Sequence, residues 1–399
     1  MTLTTTPEDT EAELPAETPP RWRRIARVAR LWYGRVLIVF AALWLAYSLV
    51  RRATTGRWHW ATLLDAVPSI LLLVIPILLL AASALACGRR RRWAALVVVL
   101  GLLPGIDQTG VNWHALRFWD EHRIPPGAVH VFVWNTNVWG DNNADPEAMY
   151  RFLVAQRADV YMLQESAIWV QGTAEESYVP VEDDEKLRTL FPGYHIARGS
   201  ELTTISKYPI VATPRFGPVT QVPQDASFGQ KFLRDKVLRA DIDVNGRVLS
   251  TYNVHFSVPV AKDLNYLDPR LPRDKDLDSY FRRKFDWRAA EIGAVAADLK
   301  ANPNPSVIAG DFNASASAGS ADALRAVATD ASHASRQLVP LTWRMPGPRE
   351  FATDDGIRVP LWRLDWAFTR GPVTVHRLTI TSSERLSDHA AQDMWLSVR

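Results

Sequence analysis

Three apolar runs occupy the first quarter of the chain, and the pattern changes completely after them. The runs cover about residues 31–50, 66–87 and 93–106, and the second contains no charged residue. A helix of 20 residues is about 30 Å long, which matches the hydrocarbon thickness of a bilayer. We therefore predict a membrane region over residues 31–106 with two or three transmembrane helices, the third run being short for a span.

From residue 129 onwards, short β-branched runs alternate with helical segments. One predicted helix starts with an N-cap acid, a proline and a second acid, and an Asn-Gly pair at 245–246 is the signature of a tight hairpin. The pattern predicts a layered α/β domain over residues 129–399. Its predicted elements are strands at 129–134, 159–163, 236–244, 247–256, 306–309, 363–369, 373–381 and 392–398 and helices at about 145–156 and 280–300.

Composition sets the remaining boundaries. Residues 1–20 are rich in Thr, Pro and Glu and the next ten are basic, so we predict a disordered basic tail over residues 1–30. Residues 107–128 are interpreted as a linker. The chain has one cysteine among 399 residues and 47% hydrophobic residues, which excludes a disulfide scaffold and a wholly disordered chain.

The charges are unevenly distributed and suggest an orientation. The first 112 residues carry 13 of the 46 Lys and Arg but 7 of the 43 Asp and Glu, so the remainder is slightly acidic. Six arginines precede or begin the first apolar run, and four more, at 89–92, separate the second from the third. Because positive loops stay in the cytoplasm, three spans place the α/β domain outside the cell and two place it inside. We expect a multi-pass cell-membrane protein with an extracytoplasmic α/β domain.

Polar clusters follow several of the predicted strands, where α/β sheets gather their active sites. A Gly-Asp-Phe-Asn motif at 310–313 and a Ser-Asp-His motif at 387–389 are the most specific. The others are Asn135, Gln164 with Glu165, Asn253 with His255, and Asp365. Each short motif alone is common by chance, but six in a fixed order are not.

With these motifs the chain resembles the endonuclease/exonuclease/phosphatase superfamily over about residues 129–399. A Ser-Lys-Tyr-Pro segment at 206–209 fits the same pattern. The resemblance implies a four-layered α/β sandwich of the DNase-like type, in which two β-sheets pack face to face with helices outside. It also implies hydrolysis of a phosphate ester by a metal-activated water.

The resemblance assigns roles to eight residues. Glu165 is a hard oxygen ligand suited to Mg²⁺, with Mn²⁺ as an alternative; Asn135 would orient it and Asp388 would add a metal contact. Asp311 and Asn313 would face the scissile phosphate, with Asp311 aligning or deprotonating the water. His389 paired with Asp365 would act as base or phosphate clamp, and His255 would donate to the phosphate. No other cofactor is implied.

The predicted activity is hydrolysis of a phosphodiester in DNA, RNA or a phospholipid headgroup by a membrane-anchored enzyme. The sequence leaves the substrate open, because the same site chemistry serves all of them. It indicates no protein partner. Trp343 is equally consistent with a residue that stacks on a substrate base and with a core residue. The alternative is a catalytically silent, membrane-tethered binding module, which predicts the loss of a catalytic group. The sequence shows none lost.

Overall fold

Ten helices lie within the residues that the computed structural model describes, which are 21–86, 88–117, 123–140, 145–170, 172, 177–217, 221–259, 274–344, 360–383 and 386–399. The first 20 residues of the predicted tail lie outside this range. The rest of that tail is helical, because α1 begins at Arg21. The helices are α1 (Arg21–Thr54), α2 (Thr62–Asp65), α3 (Leu71–Ala84), α4 (Gly88–Leu102), α5 (Asn137–Gly140), α6 (Pro146–Gln156), α7 (Asp184–Leu190), α8 (Phe228–Arg234), α9 (Lys275–Ala301) and α10 (Asp322–Arg325).

The three predicted spans correspond to three packed helices of unequal length. Within α1, the stretch Val28–Thr54 is long and apolar enough to cross a membrane, and no other helix of the described residues meets both criteria. Helix α3 has 14 residues and α4 has 15, about 21–23 Å each, so α3 is shorter than its predicted run of 22 residues and both are short for a span. Helix α4 also begins five residues before its apolar run and includes the four arginines. The side chain of Arg90 packs against Gly34 of α1.

The α/β domain contains two six-stranded sheets and two small hairpins. One sheet has the order β15-β16-β1-β2-β6-β5 and the other β11-β14-β10-β9-β8-β7, while β12 pairs with β13 and β3 with β4. The strands are β1 (Val129–Asn135), β2 (Val160–Gln164), β3 (Ala167–Trp169), β4 (Tyr178–Pro180), β5 (His195–Gly199), β6 (Leu202–Ser206), β7 (Ile210–Ala212), β8 (Val237–Val244), β9 (Arg247–His255), β10 (Ser306–Asp311), β11 (Thr329–Asp330), β12 (Trp343–Arg344), β13 (Pro360–Trp362), β14 (Asp365–Arg370), β15 (Val373–Thr381) and β16 (Ala391–Val398).

The two sheets pack face to face with helices on both outer faces, which confirms the predicted four-layered sandwich. Alternate residues of β1 show how this is built, because Val131 and Val133 lie in the core between the sheets and Phe132 and Trp134 lie in the outer core. Helix α6 covers that outer face, and α9 covers the opposite sheet. All eight predicted strands are present, with ends within two residues of the prediction.

Both sheets contain one central parallel pair, β1 with β2 and β9 with β10. Parallel neighbours bring their carboxyl ends to the same edge of a sheet. The polar residues that follow these four strands therefore meet at one end of the sandwich.

The predicted linker is not a free tether. Between residues 107 and 117 the chain forms short 3₁₀ turns and packs on the α/β domain. The side-chain amide of Asn112 donates to the carbonyl oxygens of Ser332 and Ser335 at 2.8 and 2.9 Å. Residues 118–122 of this segment lie outside the described part of the chain.

Candidate active site

The last residue of β10, Asp311, is the centre of the cluster. It is opposite His255 of β9 in the parallel register and opposite Asp365 of β14 in the antiparallel register. Gly310 lets β9 approach, because its φ is +143° and a Cβ atom there would lie 2.0 Å from the carbonyl oxygen of Val254. The sheet pairing thus aligns three of the predicted site residues side by side.

Asn135 joins the two sheets at this end of the sandwich. Its side-chain amide donates to Glu165 Oε1 and to Asp311 Oδ2, both at 3.1 Å. Glu165 follows β2 with a φ of +54°, a left-handed conformation that turns the chain out of the sheet toward the cluster. The two carboxylates predicted to serve the metal and the water are therefore held by one amide.

His389 and Asp365 form the predicted imidazole–carboxylate pair. Nδ1 of His389 lies 2.9 Å from Asp365 Oδ2, and Nε2 lies 3.7 Å from Asp311 Oδ2. Burial alone would lower the pKa of His389, but the carboxylates of Asp365 and Asp311 outweigh it and raise that pKa well above 6.5. The ring is therefore held as a cation whose Nε2 points at Asp311.

A second imidazole pair was not predicted. Nδ1 of His255 lies 2.8 and 2.9 Å from the two carboxylate oxygens of Glu201, and Lys236 forms an ion pair with the same carboxylate. Burial tends to raise the pKa of Glu201, but His255 and Lys236 lower it to about 2. The backbone N–H of Glu165 donates to Glu201 as well, at 2.9 Å. Glu201 thus orients both the imidazole of His255 and the predicted metal ligand.

His255 presents its other nitrogen to the centre. Its Nε2 lies 3.6 Å from Glu165 Oε1 and 3.7 Å from Asp311 Oδ2. Despite burial, which lowers it, the pKa of His255 is raised by Glu201. Two imidazoles held by carboxylates therefore approach Asp311, each with its Nε2 at 3.7 Å from the same oxygen.

Two groups of side chains have the geometry of a metal site. Ligand atoms of Glu165, His255 and Asp311 lie within 4.8 Å of one another, and so do those of Asp311, Asp365 and His389. Burial and the neighbouring Asp365 raise the pKa of Asp311, while the imidazoles oppose this rise. Because closely spaced buried carboxylates repel one another, a divalent cation with a preference for oxygen ligands fits this donor set.

The remaining predicted residues lie at the edge of the cluster. The backbone N–H of Asn313 donates to Asp311 Oδ1 at 2.7 Å, and its side-chain amide donates to the carbonyl oxygen of Phe256. The carboxylate of Asp388 accepts from Trp343 Nε1 at 2.9 Å and belongs to neither group of metal-site geometry. The metal contact predicted for Asp388 stays a prediction.

A buried arginine of α9 supports the loop that follows Asp311. Arg288 donates to the carbonyl oxygens of Phe312, Asn313 and Ser257, the last at 2.6 Å. Burial lowers its pKa to about 10. No motif identified Arg288, because it lies in a helix whose charges follow an ordinary amphipathic pattern.

The sandwich and its cluster of carboxylates, imidazoles and one amide define a class of protein, a hydrolase of phosphoester bonds. A particular family follows from comparison with known proteins. The model of the Endonuclease/Exonuclease/phosphatase family matches residues 135–389, so the chain belongs to this family. That match begins at Asn135 and ends at His389, the first and the last residue of the cluster.

Solved structures with a similar arrangement have low sequence identity. A family protein from Leptotrichia buccalis is 14% identical, covers 68% of this chain and 100% of its own, and has a TM-score of 0.45. A 3′ phosphatase, NExo, from Neisseria, solved bound to product DNA hairpin, is 16% identical. It covers 67% of this chain and 98% of its own, with a TM-score of 0.43. A mannosyl-6-phosphatase from Bacteroides thetaiotaomicron is 14% identical, covers 67% of this chain and 99% of its own, and has a TM-score of 0.40. No curated protein matches the chain.

Proposed function

We propose that this protein is a membrane-anchored, Mg²⁺-dependent phosphodiester hydrolase in which the cluster around Asp311 activates a water molecule. One observation carries the proposal. The carboxylate of Asp311 is held by Asn135 on one side and faces the Nε2 atoms of His255 and His389 on the other. A group in that position can align a nucleophile against a phosphate whose charge the imidazoles balance.

Glu165 and Asn135 are the residues that would hold the metal, with the predicted contribution of Asp388. The bound cation would neutralise charge on the phosphate and lower the pKa of a bound water. Mn²⁺ has the same preference for oxygen ligands and is the alternative ion. Glu165 is suited to this role because it is the least buried carboxylate of its group and its backbone is fixed by Glu201.

The proton chemistry falls to this chain's own side chains. Asp311 would accept the proton of the attacking water or orient it. His389, kept cationic by Asp365, would donate hydrogen bonds to the phosphate oxygens as negative charge develops, and His255 would do so with its charge maintained by Glu201. Asn313 lies beside them on the same loop.

Purified full-length protein in detergent tests the proposal with bis-p-nitrophenyl phosphate, assayed with Mg²⁺ and with EDTA. We expect turnover that requires the metal and disappears in Asp311→Ala. The matched control is Asp286→Ala, which removes an exposed carboxylate of α9. Turnover that survives EDTA, or that Asp311→Ala retains, would contradict the mechanism.

The anchoring part of the proposal rests on α1, and the side of the membrane rests on contacts. Residues that follow α1 and residues that follow α4 both bond to the α/β domain: Thr55 to Gly319, and Asn112 to Ser332. The carboxyl ends of α1 and α4 therefore both lie on the side of that domain. The arginines at 89–92 lie at the opposite end, so a positive-inside orientation makes the domain extracytoplasmic. A reporter fused after residue 399 should read extracytoplasmic, and a cytoplasmic signal would reverse this orientation.

A further inference from the structure

The membrane region docks on the loop that leaves the active site. Thr55 Oγ1, just beyond α1, accepts from the backbone N–H of Gly319 at 2.7 Å. Gly56 and Gly319 are in such close contact that a Cβ atom on either would lie 2.7–2.8 Å from the backbone of the opposite segment. Ser315 Oγ donates to the carbonyl oxygen of Asp65 at 3.1 Å. This interface is built backbone against backbone, which fixes the two parts at one distance.

A buried charge reinforces the contact. Arg51, at the end of α1, is fully buried and donates to the carbonyl oxygen of Ser317 at 2.8 Å and to Gln108 at 2.5 Å. Its guanidinium lies 3.9 Å from the carboxylate of Asp65. Burying a guanidinium is costly unless partners compensate it, and here Ser317, Gln108 and Asp65 supply them, so the docked arrangement is specific rather than a loose tether.

The docked loop begins immediately after the catalytic residues. Ser315 and Ser317 lie four and six positions beyond Asp311, and Arg288 holds the intervening carbonyl groups from the other side. The segment is therefore clamped between an arginine of the membrane region and an arginine of the α/β domain. The position of the active site relative to the membrane helices is set at this clamp.

A second path joins the site to the segment before α3 through two tryptophans. The ring of Trp343 lies 6.5 Å from that of His389 and 5.2 Å from that of Trp362. Trp362 Nε1 in turn donates to the carbonyl oxygen of Ala66, five residues before α3 begins. Two side chains thus span the distance from a catalytic imidazole to the start of a membrane helix.

Exposed apolar side chains occur in the same segments. Leu361 is 40% exposed next to Trp362, and Leu338, whose carbonyl accepts from the backbone of Asn112, is 42% exposed. The headgroup layer on each side of a bilayer is about 5–8 Å thick, and apolar residues favour its inner boundary. The catalytic cluster is held beside the segments that flank the membrane helices, so a bilayer around those helices would bring its headgroups to the same side.

We infer that the substrate is a phosphodiester carried by a lipid of the same bilayer in which the enzyme is anchored. This rests on the proposed function. The oxygen of water would bond to phosphorus, one P–O ester bond would break, and the leaving alkoxide would take up a proton. The products are a phosphate monoester and an alcohol, one of which keeps the acyl chains.

The test uses the full chain reconstituted into vesicles of phosphatidylcholine and phosphatidylglycerol with Mg²⁺. Labelled phosphatidylglycerol is placed either in the vesicles that contain the enzyme or in separate enzyme-free vesicles. Released label and the labelled lipid products are quantified together, and bis-p-nitrophenyl phosphate and duplex DNA are assayed in parallel. We expect hydrolysis of the lipid in the shared bilayer to exceed that in separate vesicles by about tenfold or more, because anchoring raises the effective concentration.

A pair of glycine variants isolates the docking. Gly319→Ala places a Cβ atom 2.8 Å from the backbone of Thr55, whereas Gly293→Ala on α9 meets nothing within 4 Å. Gly319→Ala should lower hydrolysis of the lipid several-fold and leave turnover of bis-p-nitrophenyl phosphate unchanged, and Gly293→Ala should change neither.

Equal lipid hydrolysis in shared and separate vesicles would overturn the inference, and so would cleavage of DNA without any hydrolysis of lipid. Either result can occur with normal, metal-dependent turnover of bis-p-nitrophenyl phosphate, which would leave the proposed function standing. Loss of that turnover in the wild-type protein would instead refute the proposed function itself.

Discussion

Replacing Glu201 with glutamine tests whether the buried imidazole pair is held by charge. Glutamine has nearly the same shape, so the change removes the negative charge and leaves the packing. The ammonium of Lys236 and the imidazole of His255 then lose their common anion inside the protein, where neither is solvated. We expect a large loss of stability together with a loss of activity.

The magnitude follows from the pKa of Glu201. A shift from 4.5 to about 2 corresponds to about 3 kcal/mol of extra stability for the charged, folded form at neutral pH. Removing one partner of a buried ion pair costs about 3–5 kcal/mol in other proteins, which agrees. For a domain of this size each kcal/mol lowers the Tm by about 2–4 °C, so Glu201→Gln should melt about 6–12 °C lower.

The pH dependence has a definite sign. Because the folded pKa of Glu201 is depressed, its contribution is fully present above pH 4.5 and is lost as the pH falls toward 2. The gap in Tm between wild type and Glu201→Gln should therefore narrow as the pH falls below 4.5. Thermal melts by circular dichroism over this range measure it.

The matched control is Glu185→Gln, which removes an exposed carboxylate of α7 and should shift the Tm by less than about 1 °C. A second variant, Glu201→Gln with Lys236→Met, removes the stranded ammonium and should recover part of the lost stability. A Tm for Glu201→Gln within 2 °C of wild type at neutral pH, on the scale of about 2–4 °C per kcal/mol, would refute the assignment of a buried charge cluster.

Three further predictions concern the site itself. Glu165→Gln should raise the Mg²⁺ concentration needed for half-maximal turnover by about tenfold or more, and an unchanged metal titration would remove Glu165 from the ligand set. Asp365→Asn should lower the pKa of His389 and reduce kcat by about 10²–10⁴-fold. The alkaline limb of the pH–rate profile should then move to lower pH. A limb that does not move would argue against the pairing of His389 with Asp365. Arg288→Met should cost about 3 kcal/mol in denaturant melts and lower kcat, whereas preserved kcat would show that Arg288 only stabilises the fold.

The strands that carry the site were predictable because they are short, buried and uninterrupted. The run Val129–Asn135 has no exposed residue, and the carboxyl end of such a strand in an α/β domain is where polar residues collect. The other eight strands, each of two to five residues, were not predicted. Strands such as Ala167–Trp169 and Tyr178–Pro180 have three residues each, too few for a period to be visible.

The residues that support the site could not be predicted from the sequence, for a different reason. Glu201 stands in a turn between β5 and β6 and reaches His255 only because β6 and β9 belong to facing sheets. Arg288 supports the loop after Asp311 across 24 positions of sequence. Motifs report local order, whereas these contacts depend on the packing of one sheet or helix against another.

From the sequence, the side of the membrane on which the α/β domain lies depends on whether the third apolar run spans. The proposed topology does not depend on that run. Thr55 follows α1 and Asn112 follows α4, and both bond to the same domain, so α3 and α4 together leave that side and return to it whatever depth each reaches. In the proposed topology, the orientation of the domain then depends on α1 alone. Six arginines precede or begin its apolar stretch, and that end should remain in the cytoplasm.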